Sequence, residues 1–255
     1  MTAAPPSISV CMATFNGAEF VVEQLQSILD QLHDRDEMVI VDDGSTDETV
    51  PQLRRIAAEA HCRVLVERSD HNSGHVDTFE RALHAARNDL VVLSDQDDVW
   101  LPGYLDRIRT VFSEDVETGL IVSRPVFCDE NLVPIVAKNE RYRHPKFNGP
   151  IGVAAFLLNR SMPIGCTMSI RRADLGYVLP FPAGLLAHDH WLFAMATLRG
   201  RMRPLDEPAL LYRRHPRAVT HKRNLSKAFA SRAALIGQVV QRLAHSAVSA
   251  RRRRR

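Results

Sequence analysis

The first hundred residues alternate between short apolar segments and segments with helical periodicity, and this alternation constrains the fold more than any other feature. Strands are predicted where apolar residues form short runs, at 8–13, 38–41, 63–67 and 90–94. Amphipathic helices are predicted between them, at 19–32, 46–60 and 77–87. Strands that alternate with helices of this length form βαβ units and a parallel sheet. We therefore expect an α/β fold with a mostly parallel central sheet flanked by helices.

Carboxylates cluster directly after two of these strands. The strand at 38–41 is followed by two of them and the strand at 90–94 by three: Asp42, Asp43, Asp95, Asp97 and Asp98. The carboxyl ends of parallel strands lie along one edge of a sheet, where ligands bind. Crowded carboxylates repel one another unless a cation lies among them, and Mg²⁺ or Mn²⁺ accepts such ligands and shares them with substrate phosphates. The pattern predicts a metal–diphosphate site, and its alternative is a pair of solvated acidic turns.

Length and cysteine usage indicate the setting of the fold. A chain of 255 residues holds one large α/β domain or two small ones. Four scattered cysteines without a CxxC pair indicate buried thiols of a reducing compartment: Cys11, Cys62, Cys128 and Cys166. The sequence shows no basic-then-apolar leader, and its apolar stretches fall short of the ~18 residues of a spanning helix. We expect a cytoplasmic protein, or one that is peripheral on the inner face of the cell membrane.

Three further patterns are local. Neither a GxGxxG turn nor a GxxxxGK[ST] loop is present, so the phosphates of a ligand would be held through metal and side chains. Ser45 and Glu48 have the spacing of a capping box, which predicts a helix start there. After a predicted helix at 102–113, the region 118–150 is typical of irregular substrate-binding loops because prolines interrupt its short apolar runs: Pro125, Pro134, Pro145 and Pro150.

The C-terminal end is strongly basic. Residues 199–255 contain 16 Lys and Arg against two acidic residues, a net charge of +14, whereas residues 1–198 carry −11. One helix face near the end is apolar, with Leu225, Phe229, Ile236, Val240 and Leu243, and Arg251–Arg255 follow. Such a segment either lies on an anionic membrane surface or packs on the rest of the fold. Nucleic acid is not the expected partner, because no base-reading feature accompanies the charge.

Several segments together resemble the inverting glycosyltransferases of family 2, and within them the rhamnosyltransferase-like group. They are Val10–Gly17, Val41–Asp47, Ser94–Trp100, Gly165–Met168, and His188–Trp191 with Leu211–His215. The resemblance covers residues 8–220 in the order typical of the family. It implies the GT-A fold, with a catalytic domain at 1–222 and a basic amphipathic helix with an Arg tail at 223–255. Residues 1–100 would form the nucleotide-binding half and residues 101–222 the acceptor-binding half.

The resemblance assigns roles on the donor side. Thr14 and Asn16 would line the nucleotide pocket, and Asn72 and Gly74 would lie in a loop on its nucleotide side. A carboxylate would accept the N3–H of a uracil or thymine ring; Asp43 is the first candidate and Asp42 its rival. Within the DxD signature, Asp97 would ligate Mn²⁺ or Mg²⁺, and Asp95 would contact the ribose or the metal. Asp98 is a further candidate there, and His215 would face the diphosphate or the metal.

On the acceptor side the resemblance makes Asp189 the catalytic base. An inverting transferase needs one carboxylate to accept the proton of the attacking hydroxyl. A hydrolase would instead have two carboxyl groups flanking the glycosidic bond. The expected activity is transfer of a sugar from a dTDP- or UDP-sugar, dTDP-rhamnose among them, to a glycan or lipid-linked oligosaccharide of the cell surface. The alternative is a non-catalytic protein of the same fold that binds nucleotide sugars or polyanions; the presence of both Asp97 and Asp189 favours the enzyme.

Neighbouring residues have less specific interpretations. Asp189 alternatively caps a helix predicted to start at Trp191. His188 and His190 lack the Cys or His partners of a zinc site. Trp100 is expected to pack beneath the site. Four arginines are interpreted as solvated surface charges rather than phosphate ligands: Arg171, Arg172, Arg213 and Arg214.

Overall fold

The computed structural model describes residues 4–217 and 234–242 and contains an eight-stranded mixed sheet with the strand order β3-β2-β1-β4-β7-β6-β8-β5. The strands are β1 Ile8–Thr14, β2 Glu37–Asp42, β3 Arg63–Arg68, β4 Leu90–Ser94, β5 Val99–Trp100, β6 Leu120–Cys128, β7 Met168–Arg171 and β8 Met202–Arg213. The α-helices are α1 Val21–Leu29, α2 Thr49–Glu59, α3 His75–Ala85, α4 Tyr104–Glu114, α5 Val136–Arg141, α6 Gly149–Leu157, α7 Leu175–Val178, α8 His188–Leu198 and, near the C-terminus, α9 at 234–242.

The first four long strands form the predicted parallel part of the sheet. β1 pairs in parallel with both β2 and β4, and β2 pairs in parallel with β3. In this register Thr14 lies beside Asp42, and Met12 lies beside Ser94. β1 and β2 are buried along almost their whole length, as expected of strands covered on both faces. The carboxyl ends of β1, β2 and β4 therefore open onto the same edge of the sheet.

The second part of the sheet is mixed. β7 runs antiparallel to both β4 and β6, β8 runs parallel to β6, and β5 runs antiparallel to β8. The prediction of irregular loops over 118–150 is wrong for β6, a nine-residue strand that is mostly buried. Pro125 misled the prediction because proline removes a ladder hydrogen bond. Here it lies where the β6–β8 register shifts, so the missing N–H interrupts no regular pairing.

Two apolar clusters hold the layers together, one on each face of the sheet. Alternate residues of β1 enter different clusters: Ile8, Val10 and Met12 pack with α1, α2 and α4, whereas Cys11 packs with α3, α6 and α8. The largest buried side chain, Trp191, lies in the second cluster. Trp100 is 2% exposed and packs edge-on against Tyr104, which confirms the expected packing role. All four cysteines are buried and free, as predicted.

Two predicted helix starts are wrong. Helix α2 begins at Thr49 with Glu48 as its N-cap residue, and Ser45 does not cap it because its hydroxyl donates to Asp42 instead. Helix α8 begins at His188 rather than Trp191, and its N-cap residue is Ala187. Asp189 therefore lies inside the first turn and is not the helix cap. The hydrogen bond to Asp42 therefore replaces the predicted capping role of Ser45.

Part of the predicted C-terminal amphipathic helix falls within α9. Its Leu235 and Val239 are buried against the second apolar cluster, whereas Ile236 and Val240, on the predicted apolar face, are 47% and 60% exposed. The remaining residues of that face and the Arg run lie outside the described residues: Leu225, Phe229, Leu243 and Arg251–Arg255. Over 4–217 and 234–242, no helix combines the length and apolarity that crossing a bilayer requires.

Candidate active site

Two structural features gather the predicted site residues at one edge of the sheet. The parallel strands β1, β2 and β4 deliver the segments that follow Thr14, Asp42 and Ser94. The antiparallel ladder of β5 and β8 pairs Val99 with Leu211. Because the two strands run in opposite directions, this ladder also brings the acidic segment before β5 against the residues that follow β8.

Asp42 is buried and accepts hydrogen bonds from a residue at the end of β1 and from one that follows β2. Its carboxylate accepts hydrogen bonds from the Thr14 hydroxyl (2.9 Å), the Ser45 backbone N–H (2.8 Å) and the Ser45 hydroxyl (2.5 Å). Asp42 is 0% exposed. The structure thus gives both Asp42 and Thr14, two of the predicted nucleotide-binding residues, internal partners that fix the loop after β2.

Asn16 connects the loops that follow β1 and β2. Its backbone N–H donates to the Ser45 hydroxyl (2.8 Å), and its side-chain oxygen accepts the Thr46 N–H (2.9 Å). Its φ of 47° is in the left-handed region, which asparagine tolerates better than most residues. The side chain is exposed at the edge of the sheet, where the prediction placed the nucleotide pocket.

Asp43 faces a different loop from Asp42. Its Oδ1 accepts the Ser73 backbone N–H (2.7 Å) and the Ser73 hydroxyl (3.0 Å), and its Oδ2 accepts the Gly74 N–H (2.9 Å). Gly44 has a φ of 82°, and a Cβ there would lie 3.1 Å from the His71 carbonyl carbon, so the two loops meet closely. Gly74, which was predicted to lie in a nucleotide-side loop, contacts Asp43; Ser73, which donates twice, was not among the predicted residues.

The carboxylates after β4 are crowded. Burial, followed by the charges of Asp97 and Asp189, raises the pKa of Asp95 to about 7. Burial and the charges of Asp97 and Asp95 hold the pKa of Asp98 well above its usual range. Asp189, which comes from α8, lies near this segment: a Cβ on Gly165 would be 3.3 Å from the Asp189 Cβ, and the sulfur of the adjacent Cys166 lies within 4.8 Å of oxygens of Asp95 and Asp98.

The cluster has the properties expected where a cation binds. Asp98 is 1% exposed; its Oδ1 accepts the Arg213 N–H (3.1 Å), and its Oδ2 is buried without a nitrogen or oxygen partner among the described residues. One oxygen each of Asp95 and Asp98 and the Cys166 sulfur lie within 4.8 Å of one another. Unsatisfied, mutually repelling carboxylates with an imidazole nearby fit a divalent cation of the Mg²⁺ or Mn²⁺ type.

His215 lies against the second carboxylate of the predicted DxD signature. Its Nε2 is 2.8 Å from Asp97 Oδ2, and its ring packs on Phe20 with a centroid separation of 4.6 Å. His215 is 7% exposed, so it is positioned by packing as well as by this contact. The structure therefore brings together two of the three side chains that were predicted to contact the metal.

Arg213 anchors the acidic segment and was misjudged from the sequence. It is 6% exposed, and the prediction of a solvated surface charge is wrong for it. Its side chain donates to the backbone carbonyls of Asp97 (2.9 Å) and Glu130 (2.7 Å) and forms an ion pair with Glu23. Arg171 likewise donates to backbone carbonyls, those of Thr118 and Phe112.

Asp189 is held at the start of α8. Its Oδ1 accepts the His190 N–H (2.8 Å). A Cβ on Gly165 would lie 3.3 Å from the Asp189 Cβ and 3.1 Å from His188 Nε2, so the glycine lets α8 approach the carboxylate cluster. His188 packs on Phe79 at a centroid distance of 4.1 Å, which makes it part of the core rather than a zinc site.

An open cleft adjoins these residues. It has a volume of about 480 Å³ and lies between the start of α3 and the loop before α8. Ser73 and Gly74, which donate to Asp43, line one wall, and the segment 181–186 lines the other. The cleft thus runs between the loop bound by Asp43 and the segment that leads to Asp189.

Comparison with known proteins identifies the family. Residues 9–178 match the family model described as glycosyl transferase family 2. The chain belongs to glycosyltransferase family 2. The match contains four of the segments that carried the resemblance, and the predicted GT-A fold is confirmed by the solved structures described next.

Three similar proteins illustrate the relationship. The succinoglycan biosynthesis protein ExoU of Rhizobium meliloti is 23% identical over 206 residues, which are 77% of this chain and 54% of ExoU. Residues 1–349 of S. aureus TarS, solved with UDP-GlcNAc, superimpose with a TM-score of 0.70 at 21% identity, covering 90% of this chain and 65% of that one. The mannosyltransferase PcManGT of Pyrobaculum calidifontis, solved with GDP-Man and Mn²⁺, gives a TM-score of 0.64 at 21% identity, covering 96% and 65%. The chain spans between 34% and 54% of the length of the curated relatives it matches.

Proposed function

We propose that this family 2 protein is an inverting, metal-dependent glycosyltransferase that moves a sugar from a nucleotide-diphosphate donor to a hydroxyl of a glycan acceptor. The observation that carries the proposal is the proximity of the Asp95–Asp98 segment to Asp189. Gly165 lies against Asp189, and the adjacent Cys166 lies within 4.8 Å of oxygens of Asp95 and Asp98. A site that only bound a nucleotide sugar would need the first group but would not need Asp189 as a base.

The donor would be bound by the loops that follow β1, β2 and β4. Asp43 is the better candidate for the base N3–H, because it contacts Ser73 and Gly74, which line the open cleft. Asp42 is 0% exposed and faces the interior of its own loop. Each carboxylate accepts three hydrogen bonds from within the protein, and the Asp43 Oδ2 that accepts only the Gly74 N–H has room for another. Thr14 would act through Asp42 by fixing the loop, and Asn16 would line the pocket directly.

Asp97 and His215 would hold a divalent cation, with Asp95 as a further ligand or as the partner of the ribose. Bound Mn²⁺ or Mg²⁺ would neutralise the charge that develops on the leaving diphosphate. The mutual repulsion of Asp95, Asp97 and Asp98 supports this assignment, because a cation relieves it. The complexes of PcManGT with GDP-Man and Mn²⁺ support it for the fold.

Asp189 would accept the proton of the acceptor hydroxyl as that oxygen attacks the anomeric carbon. The attack comes from the face opposite the leaving diphosphate, so the product has the inverted configuration. A correctly placed base contributes roughly 10²–10⁴-fold to such a reaction. No covalent sugar–enzyme intermediate is required.

The substrates are inferred from similar proteins. ExoU is named for succinoglycan biosynthesis, and TarS was solved with UDP-GlcNAc. We infer a UDP- or dTDP-sugar donor, with dTDP-rhamnose the specific candidate from the sequence motifs, and a cell-surface polysaccharide as the product. A lipid-linked acceptor would place the protein at the cytoplasmic face of the membrane, with 1–222 as the catalytic domain and 223–255 as a basic extension.

A screen of nucleotide sugars tests the proposal. Each of UDP-, dTDP- and GDP-sugars is added with Mn²⁺, with Mg²⁺ or with a chelator, and thermal stabilisation and donor hydrolysis are measured. We expect one nucleotide class to raise the Tm only when a divalent cation is present and to be hydrolysed slowly. Stabilisation without hydrolysis by any donor would instead favour a binding protein of the same fold.

A further inference from the structure

Helix α6 is apolar around its whole circumference, although only one side of it is buried. Its nine residues contain no polar side chain. Gly152 and Phe156 are buried, whereas Ile151 is 69% exposed and Leu158, directly after the helix, is 67% exposed. A helix that is apolar on all sides is normally enclosed by a protein core or by a membrane. The outer side of α6 therefore lacks the polar residues expected of a helix that faces water.

The exposed apolar residues form a stripe. Ile151 and Leu158 are seven residues apart and lie on the same side of the helix, with exposed Ala154 between them. Phe147 before the helix and Met162 after it are also exposed, at 55% and 41%. We call these five residues the α6 surface. Clustered exposure of large apolar side chains marks an interaction site more often than scattered exposure does.

The chain segment that carries the α6 surface is positively charged. Residues 143–162 contain three basic residues and no acidic one: Arg143, Lys146 and Arg160. All three are exposed, and none forms an ion pair within 4–217 or 234–242. An apolar stripe flanked by uncompensated Lys and Arg is complementary to a bilayer with anionic headgroups.

The inner side of α6 connects this surface to the candidate active site. Phe156 packs against His190 with a centroid separation of 4.9 Å, and His190 is the neighbour of Asp189. A Cβ on Gly152 would come within 2.5 Å of Thr197 Cγ2, so α6 and α8 are in close contact. A partner on the outer side of α6 would thus lie one helix away from Asp189.

We propose that the α6 surface is a membrane-docking site that lies on an anionic phospholipid bilayer. Its apolar stripe would enter the boundary between headgroups and acyl chains, and its three basic residues would contact the headgroups. A second copy of the chain fits less well, because a two-fold contact would bring the same positive charges together. This inference deepens the proposed function and rests on it in one respect: docking would bring a lipid-linked acceptor close to α8.

Vesicle binding by the full chain tests the proposal with a matched pair of variants. Ile151→Glu and Val116→Glu replace side chains of equal exposure, 69% each, and Val116 lies outside the α6 surface. With phosphatidylglycerol-containing vesicles, Ile151→Glu should weaken binding roughly tenfold, because a charge replaces an apolar side chain in the interface. Val116→Glu should bind like the parent chain. Lys146→Gln should weaken binding roughly fivefold, and only to anionic vesicles.

The other outcomes overturn the proposal. If Ile151→Glu binds these vesicles as well as Val116→Glu does, the α6 surface does not dock, and any remaining binding belongs to another part of the chain such as the basic C-terminal segment. Equal binding to pure phosphatidylcholine vesicles would contradict the role of the basic residues. A concentration-dependent dimer that Ile151→Glu dissociates would make the surface a contact between copies. Calorimetry of a nucleotide diphosphate with Mn²⁺ on each variant tests the donor site separately, so a failure of docking is distinguishable from a failure of the proposed function.

Discussion

The N-terminal half of the described chain, residues 4–100, and the C-terminal half, residues 101–217, build the candidate site in different ways. In the first half, side chains are fixed by partners from the same half, as Asp42 is by Thr14 and Ser45 and Asp43 is by Ser73. In the second half, residues reach back across the fold, and Arg213 and His215 contact Asp97 over 116 and 118 residues. The first half presents the loops that we propose bind the donor, and the second contributes side chains that reach the same site from distant segments.

The largest expected effect is on the rate of sugar transfer, and it comes from Asp189, the proposed base in the second half. Asp189→Asn should lower sugar transfer by roughly 10²–10⁴-fold while nucleotide affinity stays within a factor of about two, because the amide cannot accept the proton. Steady-state kinetics and calorimetry on the same preparation give the two numbers. Asp206→Asn, an exposed acid in the same half, is the control. Transfer at the parental rate would place the base elsewhere.

The next largest effect is on stability and concerns Arg213, which connects the two halves. Arg213→Met removes a buried cation that holds the Asp97 carbonyl and pairs with Glu23, so the free energy of unfolding should fall by about 3 kcal/mol. That loss corresponds to a Tm roughly 6–12 °C lower. The adjacent and more exposed Arg214→Met should shift the Tm far less. Equal shifts for both variants would show that Arg213 does not join the halves.

A third prediction distinguishes the roles of Asp42 and Asp43 in the first half by comparing nucleotide affinity with Tm. Asp43→Asn should weaken binding of a uridine or thymidine nucleotide roughly tenfold, the effect of losing one good hydrogen bond to the base. Asp42→Asn should mainly lower the Tm, because one of the two oxygens that accept hydrogen bonds from Thr14 and Ser45 becomes an NH2 donor. Measuring affinity and Tm for both variants decides between them. The reverse pattern would make Asp42 the residue that reads the base.

The smallest expected effect follows from the raised pKa of Asp95. A carboxyl group whose pKa is about 7 in the folded protein favours folding at acid pH, and that contribution is lost as the pH rises from about 4 through 7. Without divalent cations, Asp95→Asn should therefore raise the Tm at pH 8 by roughly 3–6 °C and change it little at pH 5. Added Mn²⁺ should stabilise the parent chain at pH 8 more than it stabilises this variant, because a bound cation also relieves the repulsion that the substitution removes. A variant that is equally or less stable than the parent at pH 8 would show that Asp95 is not under strain from its neighbours.

The contrast between the halves also explains what the sequence could predict. In the first half, strand burial on both faces and helical periodicity reveal β1 to β4 and their helices, and acidic strand ends mark the site. Ser45 was misassigned because its choice between capping α2 and binding Asp42 depends on how close Asp42 lies after folding. Within residues 8–94 the local pattern and the tertiary structure otherwise agree.

In the second half, contacts between distant segments determine the structure more than the local sequence pattern does. Strand β6 was not predicted because it contains Pro125. Nothing in the sequence shows that a register shift between β6 and β8 accommodates this proline. Arg213 resembled a surface charge because its three partners come from distant segments. Cys166 was recognised as part of a motif, but its position beside Asp95 and Asp98 follows only from the pairing of β7 with β4. The position of His215 beside Asp97 was anticipated only through the family resemblance, which placed His215 near the diphosphate or the metal.

Calorimetry of a nucleotide diphosphate with Mn²⁺ tests the central claim most directly, because it asks whether the converging carboxylates form a metal–diphosphate site. The parent chain should bind UDP or dTDP in the presence of Mn²⁺ and lose most of that affinity when a chelator is added. Asp97→Ala should lose the metal-dependent binding, whereas Asp129→Ala, an acid outside the cluster, should keep it. Binding that is equally tight in the chelator, or unchanged in Asp97→Ala, would contradict the account.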